Sequence, residues 1–198
     1  MDALEGDGDP RPLTLASRQA LAMEAGLDRV AAGHLEKWPL LEQGFAALVD
    51  DGQWDPAYRL VARMLTPAKA ILWLILCRDM LEEKAQAHPD NEDHCRSALL
   101  GYVKNPCPET KAAAQVACAT LDGTHALAIA AGGLSLAGEE VIGQAAPYPS
   151  GLFADLVGRS VWLTGLSYVG DSREKCIFGK KLAACGVSLA LASDKKVS

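Results

Sequence analysis

Apolar positions along the chain recur at helical spacing, and no segment shows the strict alternation of a strand. Leu40, Leu41, Phe45, Leu48 and Val49 predict a helix opened by Pro39 and ended by Gly52. Asp55-Pro56 and Thr66-Pro67 each place a side-chain acceptor before a proline, whose missing N–H costs nothing in a first helical turn. Two helices are therefore expected to meet at a corner near Leu65. The run from Ile71 to Leu76 is apolar on every face and marks the centre of the fold. Beyond it Arg78, Asp79, Glu82, Glu83 and Lys84 are expected to face water.

The remaining punctuation predicts five more helices. One begins near Pro89 and stops at Asn105-Pro106, and a second starts at Pro108 and runs through Ala112-Ala113-Ala114. A short helix from His125 to Ala131 is expected to be capped by Thr124 and closed by Gly132-Gly133. Ser150 is expected to cap a long helix with a broad apolar face from Leu152 to Val169, and a last helix starts near Ser172. The fold class is all-α: a single-domain compact bundle of about seven to nine helices over residues 14–192. A flexible arm (1–13) and a charged tail (193–198) flank it. One connection is unusual, an ordered loop from about Ser135 to Pro149, where two to eight residues is the ordinary length.

Composition narrows the function classes. Hydrophobic residues make up 49% of the chain, which is enough for a packed core and argues against disorder. A net charge of −6 with scattered basic residues disfavours a nucleic-acid partner, since phosphate binding needs a concentrated positive face. The longest apolar run, Ala70 to Cys77, is too short to span a bilayer. The start, Met1-Asp2-Ala3-Leu4-Glu5, is acidic where an export signal is basic and then apolar, so a cytoplasmic location is expected. In that compartment the six cysteines are expected to be reduced thiols, several of them buried, with no disulfide.

No motif for catalysis emerges. The cysteines lie 11 or more positions apart, unlike the close pairs of structural zinc sites. His94 and Cys95, adjacent on a helix, point about 100° apart and do not grip one ion. No Gly-x-Ser-x-Gly elbow occurs, and Gly132-Gly133 follows no strand that would make it a phosphate loop. The doublets Asp50-Asp51 and Glu82-Glu83 read as solvated charge. Trp73 and Trp162 read as core, whereas Trp38 and Trp54 are expected to be partly exposed or to pin the Pro39 helix to its neighbours. No cofactor, metal or catalytic residue is expected. The candidate partner-binding residues are Glu139, Glu140 and Tyr148 of the long loop, where two prolines restrict the backbone around the tyrosine before any partner arrives.

Several segments together resemble a family of uncharacterised helical bacterial proteins of about this length, carried as a domain of unknown function. They are Leu72-Trp73-Leu74-Ile75-Leu76-Cys77-Arg78, the Pro108 helix, Gly132-Gly133-Leu134-Ser135-Leu136-Ala137, Ala146-Pro147-Tyr148-Pro149, the helix entered through Leu152, and Gly179 to Val187. A single Trp73 stands where that pattern has two aromatics. Genes of this kind sit among bacterial type VI secretion genes, so the resemblance implies a non-enzymatic adaptor or accessory chaperone that binds a secretion effector or another chaperone. An immunity protein that blocks a cognate toxin is the alternative. A third is a cysteine- or metal-dependent enzyme drawing on His94, Cys95, Cys107, Cys118 and His125.

Overall fold

The computed structural model describes residues 15–24, 26–38, 40–82, 90–137 and 151–191. Among them the chain is all-α, with ten α-helices, one 3-10 turn and no strand. The expected arm and tail, Pro39, Ser150, and the long loop beyond Ala137 lie outside the described residues. The helices group into two compact units that divide between Gln53 and Trp54.

The first unit contains α1 (Leu15–Glu24), α2 (Arg29–Lys37) and α3 (Leu41–Asp50). Gly26, at φ +58°, turns the chain between α1 and α2. Asp28 then caps α2, its Oδ1 accepting from the N–H groups of Val30 and Ala31 at 3.0 and 2.9 Å. At the other end of α2, Arg18 Nη1 donates to the carbonyls of Leu35, Glu36 and Trp38. That guanidinium supplies donors where a helix end leaves carbonyls without partners. A Cβ on Gly44 would lie 2.9 Å from Leu35 Cδ2, so α3 crosses α2 where only glycine fits without adjustment. Gly52, at φ +72°, follows α3 as expected.

The second unit contains α4 (Trp54–Arg63), α5 (Pro67–Glu82), α6 (Asp90–Lys104), α7 (Pro108–Cys118), α8 (Ala126–Gly133), a 3-10 turn at Leu134–Leu136, α9 (Gly151–Leu166) and α10 (Ser172–Leu191). The Thr66-Pro67 device works as expected: α5 starts at Pro67, and Thr66 Oγ1 accepts from the Lys69 N–H at 3.3 Å. Asp55 does not cap. It lies inside α4, which begins a residue earlier, and pairs with Arg59 one turn on at 3.1 Å. Gly132 and Gly133 do not end α8 in a left-handed turn either. Gly133 keeps φ −63° and the chain runs straight into the 3-10 turn. Its role is contact, because a Cβ there would sit 3.0 Å from Leu156 Cδ1.

α5 is central, and α9 shares that place by packing on α4, α5, α8 and α10. The buried face of α9 is Phe153, Ala154, Val157, Ser160, Val161 and Thr164, a helical stripe that includes two hydroxyls. Ser160 and Thr164 donate to the carbonyls of Leu156 and Ser160 in their own helix, so neither is buried unpaired. Leu152, Leu166 and Val169, expected on that face, are exposed, and Trp162 is half-buried. Gly158 lets α9 approach α4 closely: a Cβ there would fall 3.0 Å from the Arg59 backbone.

Trp73 is completely buried, and its Nε1–H donates to the Leu182 carbonyl at 2.7 Å. The indole lies under α10, where a Cβ on Gly186 would come within 2.6 Å of Trp73 Cε2. Tyr58 completes the cluster. Its ring lies edge-on to Trp73, and its hydroxyl donates to the Gly179 carbonyl at 3.2 Å. Trp54 is half-buried, in line with the expected partial exposure, and its ring lies against Gly179, so what it packs on from α4 is α10.

The expectation of six reduced thiols is wrong. Cys95 and Cys118 form a disulfide across a Cα separation of 4.9 Å, joining α6 to α7. The reason is topological. Helices joined by a short turn pack side by side as antiparallel neighbours, and these two cysteines lie nearly equidistant from the Asn105-Pro106 turn. The other four cysteines are not bridged.

Candidate functional site

Arg78 and Asp79 were expected in water but turn toward α6 instead. Arg96 Nη2 donates to Asp79 Oδ2 at 2.6 Å. Arg78 grips Glu92 through two nitrogens, Nε at 3.0 Å and Nη2 closer still, both on Oε1. Glu92 is only 3% exposed, an unusual position for a carboxylate unless it is paired. Its second oxygen faces His125 Nε2 at 3.4 Å. Burial acts to raise the Glu92 pKa. The His125 hydrogen bond and the charge and hydrogen bonds of Arg78 outweigh it and hold the carboxyl at about 2.

His125 has a second task. It is the N-cap of α8, displacing the expected Thr124, and its Nδ1 accepts from the Leu127 N–H at 3.3 Å. An accepting Nδ1 carries no proton, so Nε2 carries it and donates to Glu92. Thr124 belongs to the preceding turn, where its N–H and hydroxyl both donate to Asp122 Oδ1 at 2.8 and 2.6 Å. Those bonds hold the exposed Asp122 carboxyl below the usual carboxylate range.

Beside this cluster opens a cleft of about 450 Å³, lined by Arg78, Asp122, Thr124, His125, Ala126, Leu163, Thr164, Leu166 and Ser167. Its hydroxyl protons are already committed. Thr164 donates to the Ser160 carbonyl, Ser167 to the Leu163 carbonyl at 3.0 Å, and Thr124 to Asp122. With both nitrogens of His125 engaged, none of these hydroxyls is bonded to the imidazole, and the base that one of them meets is the Asp122 carboxylate, which holds Thr124.

Of the partner residues read from the sequence, Glu139, Glu140 and Tyr148 lie outside the described residues. The residues of the third hypothesis scatter. Cys95 and Cys118 are joined to each other, Cys107 opens α7 beside Thr110, and His94 is exposed on α6. Among the described residues no group of three or more His, Cys, Asp or Glu is placed to hold a metal ion. Glu92 was missed altogether. It is one acid among several in Asp90-Asn91-Glu92-Asp93, and only its neighbours in space distinguish it.

Among the described residues no helix is long and apolar enough to cross a membrane. No match to the chain was found among curated proteins or solved structures. A family model described as a family of unknown function (DUF6931) matches residues 44–190, and the chain belongs to that family.

Proposed function

We propose that the protein is a non-enzymatic binding protein, an accessory chaperone or adaptor for a bacterial type VI secretion effector. The observation that carries the reading is the state of the cleft. Its hydroxyls and imidazole are spent on internal hydrogen bonds, while Leu166 of its lining remains largely in water. Leu166 is 55% exposed and Val169, three residues further on, 94%. Exposed aliphatics beside a pre-formed cleft suit docking of another protein more than proton transfer. Glu139, Glu140 and Tyr148 are further partner contacts of this proposal. An immunity role is the second reading, and the net charge of −6 favours it because a basic toxin would be drawn to an acidic surface.

The test is capture of the tagged full chain from its native host after cross-linking, followed by mass spectrometry of the bound proteins. Recovery of a secretion effector or its chaperone supports the adaptor role, and recovery of a toxin whose activity is then blocked supports immunity. Leu166→Asp with Val169→Asp should abolish capture without lowering the melting temperature. The pair of changes Glu139→Lys and Glu140→Lys, and separately Tyr148→Ala, assign or remove the loop by the same criterion. Turnover of a substrate by the purified chain would overturn the proposal.

A further inference from the structure

The cleft beside Glu92 has a polarity that the residue types around it conceal. Arg78 suggests an anion site, yet its charge is matched within hydrogen-bonding distance by the buried Glu92 carboxylate. The Nε2 proton of His125 is directed at the same carboxylate. Ser167 and Thr164 point their protons back along α9, and Thr124 points its proton at Asp122. Each oxygen that donates inward still has lone pairs to offer. Asp122 receives both Thr124 bonds on Oδ1, so its Oδ2 takes neither of them. The cleft is thus lined by lone pairs and the Asp122 carboxylate, with Ala126, Leu163 and Leu166 as its apolar lining.

We propose that this cleft receives a cationic side chain, the guanidinium of an arginine or the ammonium of a lysine, presented by a protein partner. Asp122 supplies the charge, and the Thr124 and Ser167 oxygens accept hydrogen bonds from the incoming group. Leu163 and Leu166 cover the methylene stem, which buries readily while the charged head stays at the polar rim. The turn that holds Asp122 is fixed before binding by its bonds to Thr124, so little ordering is lost on association. This deepens the binding-protein reading by naming what the partner inserts. The test uses small cations in place of the partner, so an empty cleft and a failed capture are separate results.

The experiment is a titration of the ¹⁵N-labelled full chain with N-ethylguanidinium chloride and with n-butylammonium chloride. Sodium acetate and sodium phosphate serve as controls at matched ionic strength. The expected result is saturable shifts of the Asp122, Gly123, Thr124 and Ser167 amides with the cations alone. In Asp122→Asn, which keeps an oxygen for Thr124 to bond, affinity should fall about tenfold while the rest of the spectrum is unchanged. Ser167→Ala should weaken binding by a smaller factor. The proposal is overturned if the cations produce no saturable shifts there, if phosphate or acetate produces them instead, or if Asp122→Asn binds as well as the natural chain.

Discussion

In the first unit the longest ties are polar and near solvent: Arg18 spans three carbonyls, Gln19 reaches Glu36, and His34 meets Asp51 at 2.8 Å. In the second unit they run through buried atoms, with Trp73 bonded to Leu182, Tyr58 bonded to Gly179, a disulfide, and the Glu92 carboxylate held between two cations or donors. Exposed polar bonds compete with water and contribute little each, whereas a satisfied buried network is costly to break. The family match follows that contrast. It covers α4 to α9 completely and almost all of α10, but in the first unit it takes in α3 from Gly44 on and neither α1 nor α2. The shared part of the family is the densely tied part.

Breaking the aromatic cluster should have the largest effect. Trp73→Ala removes a fully buried indole and strands the Leu182 carbonyl, for an expected loss of about 3–5 kcal/mol in urea unfolding. Trp73→Phe, which keeps most of the packing, should cost less than half of that. Equal losses would mean that the hydrogen bond outweighs the packing.

The disulfide comes next. Closing the loop between Cys95 and Cys118 is worth about 3 kcal/mol in the chain-entropy picture, and dithiothreitol should lower the unfolding midpoint accordingly. The intact mass of the unreduced chain should fall short by two hydrogens. An unshifted mass, or a midpoint indifferent to reductant, would remove the staple from the account of the second unit.

Glu92 should rank third. Glu92→Gln removes the Glu92 charge from its pair with Arg78, in a site where both side chains are mostly buried, at an expected cost of about 2–3 kcal/mol. The pH dependence has a definite sign. The folded carboxyl titrates at about 2, below its ordinary 4.5, so the unfolded chain takes up the proton first on acidification. The Glu92 contribution is therefore fully present above about pH 4.5 and is lost as the pH falls toward about 2. Glu92→Gln should flatten the stability profile in that window and leave it unchanged at neutral pH apart from the offset.

How much of this was legible in the sequence depended on the range of the interaction. Signals carried by adjacent residues read well: Thr66-Pro67, Asn105-Pro106, Pro108 and the all-round apolar run at Trp73 each fixed an element that the structure contains. Capping by one neighbour rather than the next did not. Asp55 and Thr124 both look like caps locally, but Asp55 is taken by Arg59 and Thr124 by Asp122. The cleft was hidden because Arg78, Glu92 and His125 come from three different helices or their caps, and no spacing rule links them. The disulfide did leave a trace, in the placing of two cysteines on either side of a helix-breaking turn, but symmetry about a turn identifies a pair only once the two helices are known to pack. The stripe on α9 was misread for a chemical reason: Ser160 and Thr164 face inward because each bonds its own helix, so hydropathy alone rotates the buried face toward Leu166.

In the first unit the expected effects are smallest. Asp28→Ala removes a two-bond cap from α2 and should cost about 1 kcal/mol, and Asp51→Asn less than that, since the pair with His34 is partly exposed. Losses as large as that of Trp73→Ala would erase the distinction between the units.

The most direct test is amide hydrogen exchange of the intact chain followed by mass spectrometry, which resolves opening energies element by element. The account predicts that peptides from Pro67–Glu82 and Gly151–Leu166 exchange slowest, at the energy of global unfolding. Peptides from Leu15–Glu24 and Arg29–Lys37 should open at several kcal/mol less, through local fluctuations. Equal protection of α1, α2, α5 and α9 would contradict it, because polar ties near solvent would then hold as firmly as the buried network.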